Sequence, residues 1–223
     1  MTKENKDIEN ISHFFNDYSE GFSSIYEEDE HPRSAFNKFI DKIFRQSMNQ
    51  RFDQTLEQTQ KQEINTVLDI GCGPGHFVLQ MLKQGKSVTA LDVAENMLEI
   101  TKARVSKSNF DSSKVQYVLA DYMQHEFDEK HDAAVVMGFF DYVAEPVSVL
   151  KKLLRDVNKE IYISVPNNKG ILALQRRFRY WYNNCPLYLY SKKSLESYLN
   201  EAGCLAQAEI RESSRGFFVI IRK

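Results

Sequence analysis

The chain has 223 residues, room for one large domain or two small ones, and a chain of that length buries about 70% of the surface its unfolded form exposes. Charged residues make up 27%, and 29 basic against 31 acidic residues leave a net charge of −2, which gives no general attraction to nucleic acid or to an anionic membrane. The polar N-terminus, apolar runs no longer than that of 133–140, and three cysteines without CxxC spacing argue against a secretory signal, a membrane span, a disulfide framework and a zinc site, and point to the cytoplasm.

Residues 1–63 carry helical patterns and no strand. Ile8, Ile11, Phe14, Phe15 and Tyr18 recur at helical spacing, as do Phe36, Phe39, Ile40, Ile43 and Phe44. Residues 21–32 between them, with Glu27, Glu28, Asp29 and Glu30, read as a loop. No Pro or Gly stops the second helix from continuing through Phe52 and Leu56.

From residue 64, strands and helices alternate. Residues 66–70 form a short apolar run that ends at the glycine-rich 71–75. A helix follows with Phe77, Val78, Met81 and Leu82 on one face and Gly85 as its stop. Residues 87–91 read as a second strand ending at Asp92, and Met97, Leu98, Thr101 and Val105 mark the next helix. Residues 115–119 form a third strand ending at Asp121, and 132–137 a fourth, unalternating as a strand buried on both faces would be. Pro146 suits the first turn of a helix carrying Val149, Leu150, Leu153 and Leu154, and 160–165 is a fifth strand. A helix over 191–202, stopped by Gly203, precedes two strands near 206–212 and 217–222. So short a connection requires an antiparallel hairpin. The chain therefore predicts an α/β fold: a Rossmann-like, seven-stranded, mostly parallel sheet with a C-terminal antiparallel hairpin, preceded by an N-terminal helical segment. The division is 1–63 for the helical segment and 64–223 for the core.

In such sheets ligands sit at the carboxyl ends of the strands, near the point where strand order reverses. The first strand ends in Asp69-Ile-Gly-Cys-Gly-Pro-Gly75. Its glycines let backbone approach a ligand, and the following helix offers unpaired N–H groups. Asp92 ends the second strand, where a carboxylate can accept from both hydroxyls of a ribose. Asp121, followed by Tyr122, is placed to meet an adenine amino group and flank its ring. His76 stands where the last glycine of the dinucleotide fingerprint G-x-G-x-x-G would fall.

Val67–Gly75 resembles the first motif of class I S-adenosylmethionine (SAM)-dependent methyltransferases of the small-molecule type. Residues 88–92 with Asn96-Met97, then 119–121, then 134–140, resemble the motifs that follow in that family. The resemblance implies that residues 1–63 are a helical cap over the active site, that the cofactor is SAM and that the product is S-adenosylhomocysteine. It implies that Asp69 fixes the loop and the methionine amino group, and that Gly71 and Gly73 let backbone pass the methionine and ribose. It further implies that Asp92 binds the ribose with Val93 and Met97 beside the adenine, that Asp121 and Tyr122 contact the adenine, and that backbone near Met137 and Gly138 meets the methionine end. The stretches around Tyr18 and Tyr26 resemble those in which related enzymes set aromatics over SAM. Tyr26 is assigned to the cofactor and Tyr18 to the substrate, with helix packing the plain alternative for Tyr18.

The methyl acceptor is less legible. Arg176 and Arg179 share a helix face beside Phe178, Tyr180, Trp181 and Tyr182, a pattern that suits a carboxylate or phosphate on a small-molecule acceptor. A solvated basic face reads the same way, and so does an RNA contact. Transfer to oxygen or nitrogen is expected, and an oxygen acceptor needs a base. His125, Asp141 and Tyr142 are the candidates; His13, His31 and His131 are more remote. The alternatives are a nucleic-acid methyltransferase, a non-catalytic SAM-binding protein and an NAD-dependent oxidoreductase. Monomer and homodimer stay open.

Overall fold

A computed structural model describes residues 8, 10–13, 15, 52–168, 186–213 and 216–223. The expectations placed on Tyr18, Tyr26, His31, Arg176, Arg179 and Cys185, and on the helix through Phe36–Phe44, lie outside the described residues. Those described among 8–15 are helical, as are residues 52–59, so the pattern through Phe52 and Leu56 does form a helix.

Seven strands form one sheet: β1 (Thr66–Ile70), β2 (Ser87–Asp92), β3 (Val115–Leu119), β4 (His131–Val136), β5 (Val157–Pro166), β6 (Ala208–Ser213) and β7 (Gly216–Arg222). Their order is β3-β2-β1-β4-β5-β7-β6. The first five are parallel, and β7 runs antiparallel between β5 and β6. The helices are α1 (His76–Lys83), α2 (Glu95–Lys107), α3 (Pro146–Asp156) and α4 (Lys192–Glu201). Each end follows from local chemistry. Beyond α1, Gly85 takes a φ of 79° while its N–H and that of Lys86 bond back to Leu82 and Met81. Pro146 opens α3, and Ser191 caps α4 through a reciprocal pair with Ser194.

The period of two along each strand splits the core into two layers. Val67 joins Val78 and Met81 of α1 and Leu98 and Val105 of α2 on one face. Leu68 and Ile70 join Val149, Leu150 and Leu153 of α3 and Leu195 and Leu199 of α4 on the other. Two strand starts lie more than one residue from the sequence reading. β5 begins at Val157, directly after α3, because fully buried Val157 pairs with His131; the polar Asn158 and Lys159 disguise its first turn of strand. β6 starts at Ala208, since residues 205–207 form a 3₁₀ turn. No helix among the described residues is long and apolar enough to cross a membrane.

Candidate functional site

The strand order reverses between β1 and β4, which opens a crevice at their carboxyl ends. The loop 71–75 leaves β1 there with three positive φ values: 67° at Gly71, 52° at Gly73 and 79° at Gly75. The N–H groups of Gly71 and Cys72 both donate to the Leu91 carbonyl, at 2.9 and 3.1 Å. A side chain begun at Gly73 or at Gly138 would meet nothing within 4 Å. Bare backbone thus faces open space on both sides of the crevice.

Because β1, β2 and β3 are neighbours, Asp69, Asp92 and Asp121 fall in a row along adjacent strand ends, the last two residues past its strand. Asp69 is 1% exposed, and its Oδ2 is buried with no hydrogen-bond partner among the described residues. Burial, then the nearby Asp92 carboxylate, push its pKa up to about 8. Asp92 accepts from the Gly73 N–H at 2.8 Å and the Ala94 N–H at 2.9 Å, yet burial still raises its pKa. Asp121 accepts from the Met123 N–H at 3.0 Å through Oδ1, while its Oδ2 is also buried and unpartnered. Orphaned buried acceptors cost stability unless a ligand supplies donors. Cationic and N–H or O–H groups set along this row would satisfy them, so the residues fit an aminoacyl nucleoside.

The remaining candidates divide. Met97 is buried at the start of α2, and the Val93 carbonyl accepts from the Ser12 hydroxyl at 3.1 Å. Met137, just past β4, has its sulfur 3.8 Å from the Thr55 hydroxyl, and the Gly138 N–H donates to Ser164 Oγ at 2.9 Å. Asp141 is buried and its carbonyl accepts from the Tyr188 N–H, while the Tyr142 ring stands edge-on to Phe15 at 5.4 Å. Helical residues before the core therefore touch the strand ends at Val93, Met137 and Tyr142. His125 packs on Phe127, 4.7 Å between ring centroids. His131 starts β4, at the opposite end of the sheet, with Nε2 2.9 Å from Thr89 Oγ1.

Tyr122 corrects the sequence reading. Its side chain is fully buried, its hydroxyl donates to Asp156 Oδ2 at 3.0 Å, and Lys152 lies 4.9 Å from its ring centroid. The chain turns inward after Asp121, so the aromatic side chain packs against Lys152 and Asp156 of α3. Tyr122→Phe should lower stability by about 1 kcal/mol in urea unfolding, with ligand affinity unchanged; weakened binding in the folded variant would return the ring to the site.

Sequence reasoning missed Thr101, Arg104, Ser164 and Tyr190. Thr101 and Arg104 bond the Gly73 and Pro74 carbonyls at 2.8 and 3.0 Å. Tyr190 donates to the Phe140 and Val143 carbonyls and so holds the loop after β4. The three-residue spacing of Thr101 and Arg104 on α2 was the one visible signal.

Residues 67–160 match the family model of the methyltransferase domain. A ubiquinone biosynthesis O-methyltransferase of Hydrogenovibrio crunogenus is 32% identical over 97 residues, 43% of this chain and 39% of that protein. The protein of the same name from Salmonella paratyphi A is 28% identical over 106 residues, 47% and 43% of the two chains. The match thus spans less than half the length of these curated relatives. Among solved structures, magnesium protoporphyrin IX methyltransferase from Synechocystis PCC 6803 with bound S-adenosylhomocysteine superposes with a TM-score of 0.71 at 16% identity, covering 96% of this chain and 98% of that one. The N-methyltransferase NodS from Bradyrhizobium japonicum, in complex with the same molecule, gives 0.58 at 15% identity, covering 80% and 86%. At such identities these two likenesses speak for the fold.

Proposed function

We propose, from the premise that this chain has the class I methyltransferase fold with a methyltransferase domain matched over residues 67–160, that it binds SAM and transfers the methyl group to a small-molecule acceptor. The observation that carries the reading is the row Asp69, Asp92 and Asp121 at adjacent strand ends, two of them with an orphaned buried oxygen, beside the open backbone of Gly73.

In this reading Asp69 faces the methionine amino group, with Gly71, Gly73 and the backbone at Met137 and Gly138 along the methionine and ribose. Asp92 uses two of its roughly four lone-pair sites on Gly73 and Ala94, leaving the others for ribose hydroxyls. Val93 and Met97 lie beside the adenine and Asp121 accepts from its amino group. Tyr26 is proposed to cover the cofactor, and Tyr18, Arg176 and Arg179 to face an acidic group on the acceptor. Residues 1–63 serve as the cap.

The bound cofactor supplies an electrophilic methyl on a sulfonium, so the protein's work is alignment, exclusion of water and, for an oxygen acceptor, removal of a proton. Asp141, Tyr142 and His125 are the groups proposed for that proton. The names of the relatives above support oxygen or nitrogen as the acceptor atom.

Calorimetric titration with S-adenosylhomocysteine, with NADH in parallel, tests the assignment. Binding of the first alone is expected; binding of NADH alone would overturn it. Asp92→Ala should weaken that affinity by about 1.5–3 kcal/mol, the scale of hydrogen bonds to a charged group. An unchanged affinity in the folded variant would remove Asp92 from the site.

A further inference from the structure

We infer that Thr101 and Arg104 are positioning residues, which hold the glycine loop in its ligand-accepting shape before the cofactor arrives. The inference rests on the SAM-binding reading above. In this loop of three positive φ values the Gly75 carbonyl takes the Leu79 N–H of α1 and the Cys72 carbonyl the Gly75 N–H, and the carbonyls of Gly73 and Pro74 between them need donors from elsewhere. Helix α2 provides two, one turn apart. The Thr101 hydroxyl, fully buried, donates to the Gly73 carbonyl at 2.8 Å. Arg104 Nη1 donates to the Pro74 carbonyl at 3.0 Å and lies 2.8 Å from His76 Nε2.

His76 is the first residue of α1, and burial, then the Arg104 charge, lower its pKa to about 4. Its ring is therefore neutral at pH 7, and with the proton on Nδ1 it accepts from the guanidinium. One side chain thus ties the loop's carbonyl to the start of the next helix. Thr101 also fills the space behind Gly75, where a Cβ would fall 2.6 Å from its methyl. The same helix begins three residues after Asp92, whose Oδ1 takes the Ala94 N–H. Ribose carboxylate, α2 and glycine loop therefore move as one piece. With both carbonyls held from behind, the Gly73 backbone stays presented to the crevice, and binding need not order it.

The test is titration of the wild type, Thr101→Val, Thr101→Ser and Arg104→Met with S-adenosylhomocysteine, with thermal melts and amide hydrogen exchange on the ligand-free proteins. Thr101→Val and Arg104→Met should each bind about tenfold more weakly and exchange faster at 71–75, while Thr101→Ser, which keeps the hydroxyl, stays within about threefold of the wild type. A merely structural role would lower the melting temperature and leave affinity well below the melt unchanged, and that result overturns the inference. Should Thr101→Val not fold, Arg104→Met on its half-buried position carries the test. A wild type that binds no S-adenosylhomocysteine overturns the functional reading and this inference with it. Normal wild-type binding with unaffected variants overturns this one alone.

Discussion

Gly75→Val should lower stability by about 4 kcal/mol and remove measurable binding of S-adenosylhomocysteine. Two independent penalties meet at this residue. Its φ of 79° puts any L side chain in the left-handed region, at about 1–2 kcal/mol, and β-branching makes that worse. Its Cβ would also fall 2.6 Å from Thr101 Cγ2 and 2.7 Å from Thr101 Oγ1. Thr101, itself a residue of α2, is fully buried against the loop and has nowhere to retreat, which adds about 1–3 kcal/mol of overpacking. Gly73→Ala is the contrast: its φ is also positive, but the methyl enters empty space, so about 1 kcal/mol of stability is lost while the cradle itself is partly filled. Urea unfolding of the two variants separates these effects. A Gly75→Val protein with the wild-type midpoint would show that the loop is not held against α2.

At pH 8.5, Asp69→Asn should be more stable than the wild type by several kcal/mol and yet bind S-adenosylhomocysteine far more weakly. The sign follows from the raised pKa. In the folded chain Asp69 holds its proton up to about pH 8, whereas the unfolded chain releases it near 3.8. Its contribution to stability is full below pH 3.8, declines through the interval and is gone above 8. Asparagine is neutral throughout, so the advantage of the variant grows with pH across the same window. Ligand affinity of the wild type should climb between pH 6 and 8 as Asp69 becomes able to meet an ammonium group, and the variant should show no such climb. Thermal melts and calorimetry at three pH values check both halves. Equal stability at every pH would mean that the Asp69 carboxyl does not feel its burial.

The strand–helix alternation was legible because β1 to β4 are short runs that end at, or within two residues of, a Gly or Asp, and α1 and α4 carry glycine stops at Gly85 and Gly203. Asp69 and Asp92 were legible for the same reason: position at a strand end is a property of the local sequence. Tyr122 was misread because the direction of a side chain after a strand depends on what lies across the sheet, here Asp156 and Lys152, more than 25 residues later. Thr101 and Arg104 escaped because their spacing shows only a shared helix face, while their partners, the Gly73 and Pro74 carbonyls, are backbone groups that no side chain announces. The start of β5 escaped because burial of Val157 is decided by its pairing with β4 and not by the polar residues beside it.

The place of β7 has a consequence for how the chain comes into being. The sheet is not filled in chain order: β7 follows β6 yet lies inside it, with Phe217–Ile221 all buried between β5 and β6. As the polypeptide emerges from the ribosome, β5 therefore waits with an open, apolar edge until residues 216–222 have been made. Neither β6 nor α4 can close that edge, because neither pairs with β5. A product lacking residues 216–222 would have lost an interior strand, so it would be marked for aggregation or degradation by its own unpaired edge.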